Sequence, residues 1–289
     1  MKFRKLQAFV LAGMIAANSA LVPLGVVKAD APAAPPAAAA QAAPAASIST
    51  QMPAGVSASV RKQTEAKAAS RGQLDGIPTM GGALPGVKAD PNQPAVAGVG
   101  TKLGPDATKS LAYVQPYQEP NDFAHRNYCG AGAATVLMSH FDANFANKVS
   151  IDQVGRDINL DPDSGAWIKD IAGPVNQYLS QYAGRKVDWY RFGQAQSKED
   201  LRWMLNVDIV QNGVPLITGV YTGGLPGWGG QDVGHIIAVN GYWKDANGKE
   251  WVSYVDTAPP ASGYHGERFV TVSLDTFWQA VSGNSAQIW

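Results

Sequence analysis

The tyrosines and tryptophans of this chain of 289 residues are confined to its C-terminal part. All ten tyrosines and all eight tryptophans lie between Tyr113 and Trp289. Because large aromatic side chains dominate the buried area of most protein cores, only this part has the material for a substantial core. A stretch of about 180 residues can bury enough apolar surface to fold alone. We therefore expect one folded domain over residues 106–289.

The N-terminus has the pattern of a secretory signal. A basic start, Met1–Lys5, is followed by a mostly apolar run and then by Val27-Lys28-Ala29, which has small residues at both recognition positions for cleavage. We expect residues 1–29 to be a signal peptide that is cleaved after Ala29. Retention of the run as a membrane anchor is the alternative, and it is disfavoured because Asn18, Ser19 and Pro23 interrupt the run.

The region between the signal and the folded domain is compositionally biased. Residues 30–50 are mostly Ala and Pro, and residues 51–105 are rich in Gly, Pro, Ala and Lys without a sustained apolar period. Such compositions offer little surface for a core. We predict that residues 30–105 are a largely disordered linker or pro-segment.

The charge distribution argues against nucleic-acid binding. Residues 1–100 contain 9 Lys/Arg and 4 Asp/Glu, whereas residues 101–289 contain 14 Lys/Arg and 19 Asp/Glu. A protein that neutralises phosphates needs a basic face. The mildly acidic folded part therefore predicts no nucleic-acid partner.

The order of predicted elements indicates an α+β domain. Helices are predicted from Cys129 to about Asn147, over 167–182 with a kink at Pro174, and over 197–212. Strands follow over 214–221, 235–243, 251–256 and 268–273, with Asn247-Gly248 as a hairpin turn. Helices first and antiparallel strands second predict that the first helix packs on a curved antiparallel sheet.

Cys129, the single cysteine, is the first candidate for chemistry. An unpaired thiol in a secreted protein has no internal disulfide partner. In the first turn of a helix it faces free N–H groups and the positive end of the helix dipole, which favour a thiolate. The alternative is a buried cysteine that acts as a small apolar residue.

Two polar residues on the predicted strands could complete a catalytic group. His235 begins an otherwise apolar strand after a glycine-rich loop, and Asp256 ends the next strand. Catalysis by a thiol needs a base and a group that orients the base. Taken singly, a strand histidine is more often structural, and Asp256 is as readily a turn residue.

These residues, taken in order, resemble the papain-like cysteine peptidases related to the double-glycine leader peptidases of bacteriocin export. The resemblance runs from about Gln115 to the C-terminus. It rests on four features in order: a glutamine, Gln118, and then a Cys-Gly pair that opens a helix, Cys129-Gly130. A strand that begins with His235 and ends in Gly241-Tyr242 follows, and the next strand ends in Asp256.

The resemblance implies a papain-like fold and a role for each of these residues. Cys129 would be the nucleophile, His235 the general base and acid, and Asp256 the residue that orients the histidine. Gln118 would form the oxyanion hole with the Cys129 backbone N–H. No cofactor is implied.

Two features leave alternatives open. Gln118 lies 11 residues before Cys129, so Gln115 or Asn127 could take its role instead. A tight turn at Asn247-Gly248 would place His235 opposite Pro260. Contact between His235 and Asp256 therefore requires a wider loop, a bulge or strong twist.

The other histidines are weaker candidates. His140 lies about three helical turns beyond Cys129, too far to serve as its base. His125 and His265 stand in polar, loop-like surroundings, and no His/Cys spacing indicates a metal site. The glycine-rich loop over residues 222–230 could form a mobile wall of a substrate groove, or a flexible surface loop with one anchored tryptophan.

The expected function is that of a secreted or cell-surface cysteine peptidase that forms a thioester with peptide or protein substrates. One alternative is an amide hydrolase of cell-wall peptides, since the Pro/Ala linker suits a protein working near a wall. Another is a non-catalytic binding module that retains the fold. Membrane contact is expected only if the signal is retained. Self-processing after Gly81-Gly82 is a further hypothesis, since this pair resembles the double glycine at which relatives cut.

Overall fold

An antiparallel sheet with helices on both faces forms the scaffold of the site. The computed structural model describes residues 48–80 and 110–289. Within these ranges the helices are α1 (Ala58–Ser70), α2 (Cys129–Ser139), α3 (Phe145–Lys148), α4 (Ile151–Asp157), α5 (Ala172–Ala183), α6 (Lys198–Leu205) and α7 (Leu274–Ser282). The strands are β1 (Ser110–Leu111), β2 (Phe192–Gln194), β3 (Leu216–Tyr221), β4 (Gly234–Lys244), β5 (Glu250–Val255), β6 (Phe269–Ser273) and β7 (Ala286–Ile288).

The strand order is β2-β7-β3-β4-β5-β6, and β1 pairs with the far end of β4. One face of the sheet packs against α2, α4 and α5. The other packs against α6 and α7. The predicted α+β class, with the helix of Cys129 on an antiparallel sheet, is confirmed.

The β4–β5 hairpin resolves the expected conflict between His235 and Asp256. The loop is wide, with Lys244 opposite Glu250, and the pairing register shifts between Val239 and Gly241. A bulge of this kind bends and twists a strand. The prediction that the contact requires a wider loop or a bulge is therefore confirmed.

Helix α2 is buried along its length, and two glycines let it approach its neighbours. A Cβ at Gly130 would lie 2.8 Å from the Cβ of Ala166, and a Cβ at Gly132 would lie 2.6 Å from Oγ1 of Thr257. The residues after β5 therefore contact the first turn of α2 directly. This close approach brings the helix start next to the end of β5.

Several predicted boundaries differ from the structure. The helix from Cys129 ends at Ser139, and α3 is a separate short helix before residue 149. Pro174 lies in the first turn of α5, where the missing N–H costs no helical hydrogen bond. The kink predicted at Pro174 is therefore absent. Helix α6 continues into a π-helical turn over Asn206–Gln211.

Residues 48–80, part of the region predicted to be a largely disordered linker or pro-segment, pack against the domain. Helix α1 and the turn after it bury the apolar side chains of Val56, Val60, Leu74 and Ile77 against the domain. Lys67 is also buried, and its Nζ lies 3.0 Å from Oδ1 of Asp208. The segment therefore belongs to the folded unit.

The structure leaves other predictions about the N-terminal part untouched. The proposed signal peptide, residues 1–29, and the Gly81-Gly82 pair lie outside the described residues. Among the helices of the described ranges, none has both the length and the apolar character needed to cross a membrane.

Candidate active site

Cys129 is the first residue of α2, and its side chain is half-buried. The helix begins after Tyr128, whose carbonyl accepts the first helical hydrogen bond, from Gly132 N at 2.9 Å. The backbone N–H groups of the first turn have no partner within a helix. They and the positive end of the helix dipole therefore lie beside the thiol.

His235 lies at the start of β4 and forms a hydrogen bond with Asp256. The distance between His235 Nε2 and Asp256 Oδ1 is 2.9 Å, and both side chains are buried. The Cys129 side chain lies close enough to the imidazole to help raise the pKa of His235. Because Nε2 is occupied by the carboxylate, Nδ1 is the ring nitrogen available to the thiol. The structure therefore brings the three predicted residues into one connected group.

Further contacts hold Asp256 in place. Its Oδ2 accepts a hydrogen bond from Trp228 Nε1 at 3.0 Å, and its Oδ1 accepts one from the backbone N–H of Ala258 at 3.0 Å. The Trp228 ring packs edge-on against the His235 ring, with centroids 5.0 Å apart. The glycine-rich loop thus supplies one anchored tryptophan to the site. The sequence pattern did not predict that Trp228 contacts Asp256 and His235.

Electrostatics favour the charged forms of the buried His–Asp pair. Burial opposes the imidazolium, but the charge and hydrogen bond of Asp256, together with Cys129, raise the pKa of His235 well above its ordinary value of 6.5. Burial would raise the pKa of Asp256. The charge and hydrogen bond of His235 and the donors from Ala258 and Trp228 instead hold that pKa below its ordinary value. The arrangement therefore stabilises an imidazolium at His235, beside Cys129.

A cavity of about 580 Å³ opens over Cys129 and His235. One wall comes from residues 164–169, where the Trp167 side chain is 71% exposed. Phe192 and Val233 contribute apolar surface at other points of the lining. The cavity is therefore open to solvent and can admit an extended chain segment to the thiol.

The structure does not place Gln118 at the site. Its side chain is exposed and does not line the cavity. Asn127 does line the cavity, but its Nδ2 donates to Pro162 O and Asp163 O, both at 2.8 Å. Gln115 is half-buried and outside the cavity lining.

Glu119, the residue after Gln118, is a site residue that sequence reasoning missed. It is 2% exposed and lines the cavity together with Cys129 and His235. Its backbone N–H donates to Thr257 O at 2.9 Å, and its Oε1 accepts from Thr257 Oγ1 at 2.5 Å. The sequence feature that points to Glu119 is its position directly after Gln118, a candidate for the oxyanion hole.

The remaining histidines lie away from the thiol. His140 is buried, and its Nδ1 lies 2.8 Å from Tyr113 O. His125 bonds Asp122 and Asp152, and His265 is exposed.

A known protein family matches this chain. A sequence model of the Peptidase_C39 like family matches residues 111–285, a range that contains Cys129, His235 and Asp256. None of the curated proteins matches the chain.

Several solved structures of cysteine proteases are similar at low identity. Recombinant stem bromelain precursor shares 10% identity at a TM-score of 0.37, over 61% of this chain and 66% of the precursor. The bromelain protease from Ananas comosus in complex with the E64 inhibitor shares 11% identity at 0.40, over 61% of this chain and 93% of that one. The Amb a 11 cysteine protease, a ragweed pollen allergen, in its proform, shares 13% identity at 0.42, over 77% of this chain and 72% of that one.

Proposed function

Since this chain belongs to the Peptidase_C39 like family, we propose that it is a secreted peptidase that cleaves peptide bonds through Cys129, His235 and Asp256. The family match confirms the predicted relation to papain-like cysteine peptidases and the predicted class of enzyme, a cysteine-type peptidase. The triad, the secretion and the substrate are the parts that we propose.

The connected group of thiol, imidazole and carboxylate is the observation that carries this proposal. His235 Nε2 lies 2.9 Å from Asp256 Oδ1, Cys129 interacts electrostatically with the same imidazole, and both Cys129 and His235 line an open cavity. A nucleophile, a base and an orienting group in this order are what acyl transfer requires. A binding module would not need a base aligned with the single thiol.

Acylation follows from this geometry. The Cys129 thiolate attacks the carbonyl carbon of the scissile bond, and the carbonyl oxygen becomes an oxyanion beside the free N–H groups of the first turn of α2. The His235 imidazolium then gives its proton to the leaving amine, and the C–N bond breaks. A thioester on Cys129 and a free amine are the products of this step.

Deacylation reverses the proton flow. Neutral His235 takes a proton from a water molecule, whose oxygen attacks the thioester carbon. The carbon–sulfur bond breaks, which releases a carboxylic acid and restores the thiolate–imidazolium pair. Asp256 keeps the imidazole oriented through both steps.

Peptides are the proposed substrates, and the cell exterior or surface is the proposed location. The signal-like N-terminus supports secretion. The open cavity with apolar lining supports an extended peptide. Cell-wall stem peptides are the competing substrate class, and zymography on cell-wall material tests them.

Thiol chemistry in the full chain tests the triad. We expect wild type to hydrolyse fluorogenic peptides and casein, and Cys129→Ser to abolish hydrolysis and thioester trapping. Iodoacetamide reacts with the single thiol, so the alkylation rate can be followed by intact mass. His235→Ala should slow that reaction at least tenfold because the thiolate loses its counter-ion.

His265→Ala is the matched control, since this histidine is exposed and outside the cavity lining. It should alkylate and hydrolyse like wild type. Equal alkylation rates in wild type and both histidine variants, with no thiol-dependent hydrolysis, would favour the binding-module alternative.

A further inference from the structure

A second acidic side chain is buried in the cavity beside the triad. Glu119 lines the cavity with Cys129 and His235, and only 2% of its surface is exposed. Two hydrogen bonds connect it to Thr257, one through its backbone N–H and one through Oε1. Thr257 directly follows Asp256, so the carboxyl of Glu119 is fixed to the same segment that orients His235.

Helix α2 fixes the other side of Glu119. A Cβ at Gly132 would lie 3.0 Å from Oε1 of Glu119, which shows how closely the carboxyl approaches the first turn. Residues three apart lie on one face of a helix, so Gly132 shares a face with Cys129. The carboxyl therefore lies against the helix face that carries Cys129.

The chemistry needs a second donor, and neither Asn127 nor Gln118 is placed to supply it. Two hydrogen-bond donors stabilise the oxyanion in acyl transfer more than one donor does. The Cys129 backbone N–H provides one of them. The Asn127 amide already donates to two carbonyl groups, and Gln118 is exposed. The hydrogen bond from Thr257 uses Oε1 of Glu119, which leaves Oε2 as the oxygen that can carry a proton. A proton on Oε2 would make it a donor towards the cavity.

The surroundings of Glu119 favour its neutral form. Burial raises its pKa above the ordinary value of 4.5, and the charge of Asp256 adds to that effect. His235, the Thr257 hydroxyl and Arg268 oppose the rise without cancelling it. Tyr117 also faces Glu119, and its hydroxyl is neutral over the physiological range because burial and Glu119 raise its pKa. A buried carboxylic acid that stays neutral can act as an oxyanion donor.

We propose that Glu119, as a neutral carboxylic acid, donates the second hydrogen bond to the oxyanion, and that its ionisation limits hydrolysis as the pH rises. The inference rests on the proposed peptidase function and adds a catalytic residue to it. A carboxylate at the same position would repel the developing oxyanion, because like charges in a buried site disfavour each other. The bond rearrangements are those of the thioester pathway, and Glu119 keeps its proton throughout.

The protonation state of Glu119 should determine how kcat depends on pH. Glu119 is neutral below its pKa and ionised above it, so wild-type kcat should fall as the pH rises through that value. Glu119→Gln has nearly the same shape and donates at every pH, so it should lack this fall. Glu119→Ala has no donor, and its kcat should be lower by about 100-fold or more at acidic pH.

The experiment is the pH profile of kcat on one fluorogenic peptide that the full-length wild type hydrolyses. We expect Glu119→Gln to match wild type within about threefold at acidic pH and to exceed it by at least tenfold at the alkaline end of the profile. Glu65→Gln is the matched control, since this glutamate is exposed on α1 and should reproduce the wild-type profile. An infrared band of a protonated carboxyl that is lost in Glu119→Gln would identify the acid directly.

The possible results separate this inference from the proposed function. If wild type shows no Cys129-dependent hydrolysis, the proposed function fails and the inference fails with it. If wild type hydrolyses peptides but Glu119→Gln keeps the wild-type pH profile, only the inference fails. Loss of kcat in Gln118→Ala with none in Glu119→Ala would also overturn it and return the role to Gln118. Since Glu119→Gln preserves side-chain volume, its profile decides the matter even if Glu119→Ala does not fold.

Discussion

Replacing Lys67 with Met tests whether residues 48–80 are part of the folded enzyme. The ammonium of Lys67 lies 3.0 Å from Asp208 Oδ1 and 4.0 Å from the centroid of the Trp189 ring, and both charged side chains are fully enclosed. Lys67→Met keeps much of the buried stem and removes the charge. It leaves Asp208 buried without a counter-ion, which typically costs about 3–5 kcal/mol.

The penalty should depend on pH through Asp208. Burial, opposed by Lys67, raises the pKa of Asp208 to about 6, and loss of Lys67 raises it further. A carboxyl with a raised folded-state pKa destabilises the fold above that pKa, and each pH unit is worth about 1.4 kcal/mol. Between about pH 7 and pH 5 wild type should therefore gain about 1 kcal/mol of stability, and the variant should gain more. Burial lowers the pKa of Lys67 to about 8, so in wild type it stays charged over this range.

Urea denaturation of the full chain at both pH values, followed by tryptophan fluorescence, measures these differences. Lys62→Met is the matched control on the exposed face of α1 and should remain within about 0.5 kcal/mol of wild type. The double variant Lys67→Met/Asp208→Leu should recover most of the loss, because it removes both charges. A Lys67→Met penalty below about 1 kcal/mol, or the same penalty at both pH values, would refute the reasoning.

Two further substitutions test the packing around the triad. Trp228→Phe keeps an aromatic ring, although a smaller one, and removes the N–H that donates to Asp256 at 3.0 Å, so kcat/KM should fall about tenfold, as expected for one hydrogen bond. Steady-state kinetics that match wild type would show that this bond does not orient Asp256. Gly132→Ala brings a Cβ to 2.6 Å from Thr257 Oγ1 and should destabilise the protein by about 1–3 kcal/mol in thermal unfolding. Gly173→Ala, where no atom lies within 4 Å of the added Cβ, should be neutral or stabilising, and equal losses in the two glycine variants would contradict the packing argument.

Local patterns in the sequence were sufficient to predict the elements that carry the triad. The apolar spacing after Cys129 marks a helix, and the apolar run that begins at His235 marks a strand, since both signals depend only on near neighbours. Asp256 could be predicted for the same reason, as a polar residue at the end of a strand. The hydrogen bond between His235 and Asp256 needed the bulge near Asn240, whose position the local pattern did not show.

The role of residues 48–80 depended on contacts that are distant along the chain. A segment with a lysine on its buried face has no clear apolar stripe, so the local pattern predicted a linker. Lys67 can be buried only because Asp208 compensates its charge, and the two residues are 141 positions apart. Composition alone therefore could not distinguish this packed helix from a disordered spacer.

Gln118 is exposed and Glu119 is buried in the cavity lining, and this difference has a simple geometric cause. In an extended segment, successive side chains point to opposite sides, so a shift of one residue changes which of the two faces the cavity. The backbone hydrogen bond from Glu119 N–H to Thr257 O sets this alternation, and Thr257 lies 138 residues further along the chain. The order of residues along the chain does not determine which residue of the Glu119 segment pairs with Thr257. The buried acid therefore follows from the pairing of two distant segments, and the pH profile of Glu119→Gln is the measurement that links that pairing to catalysis.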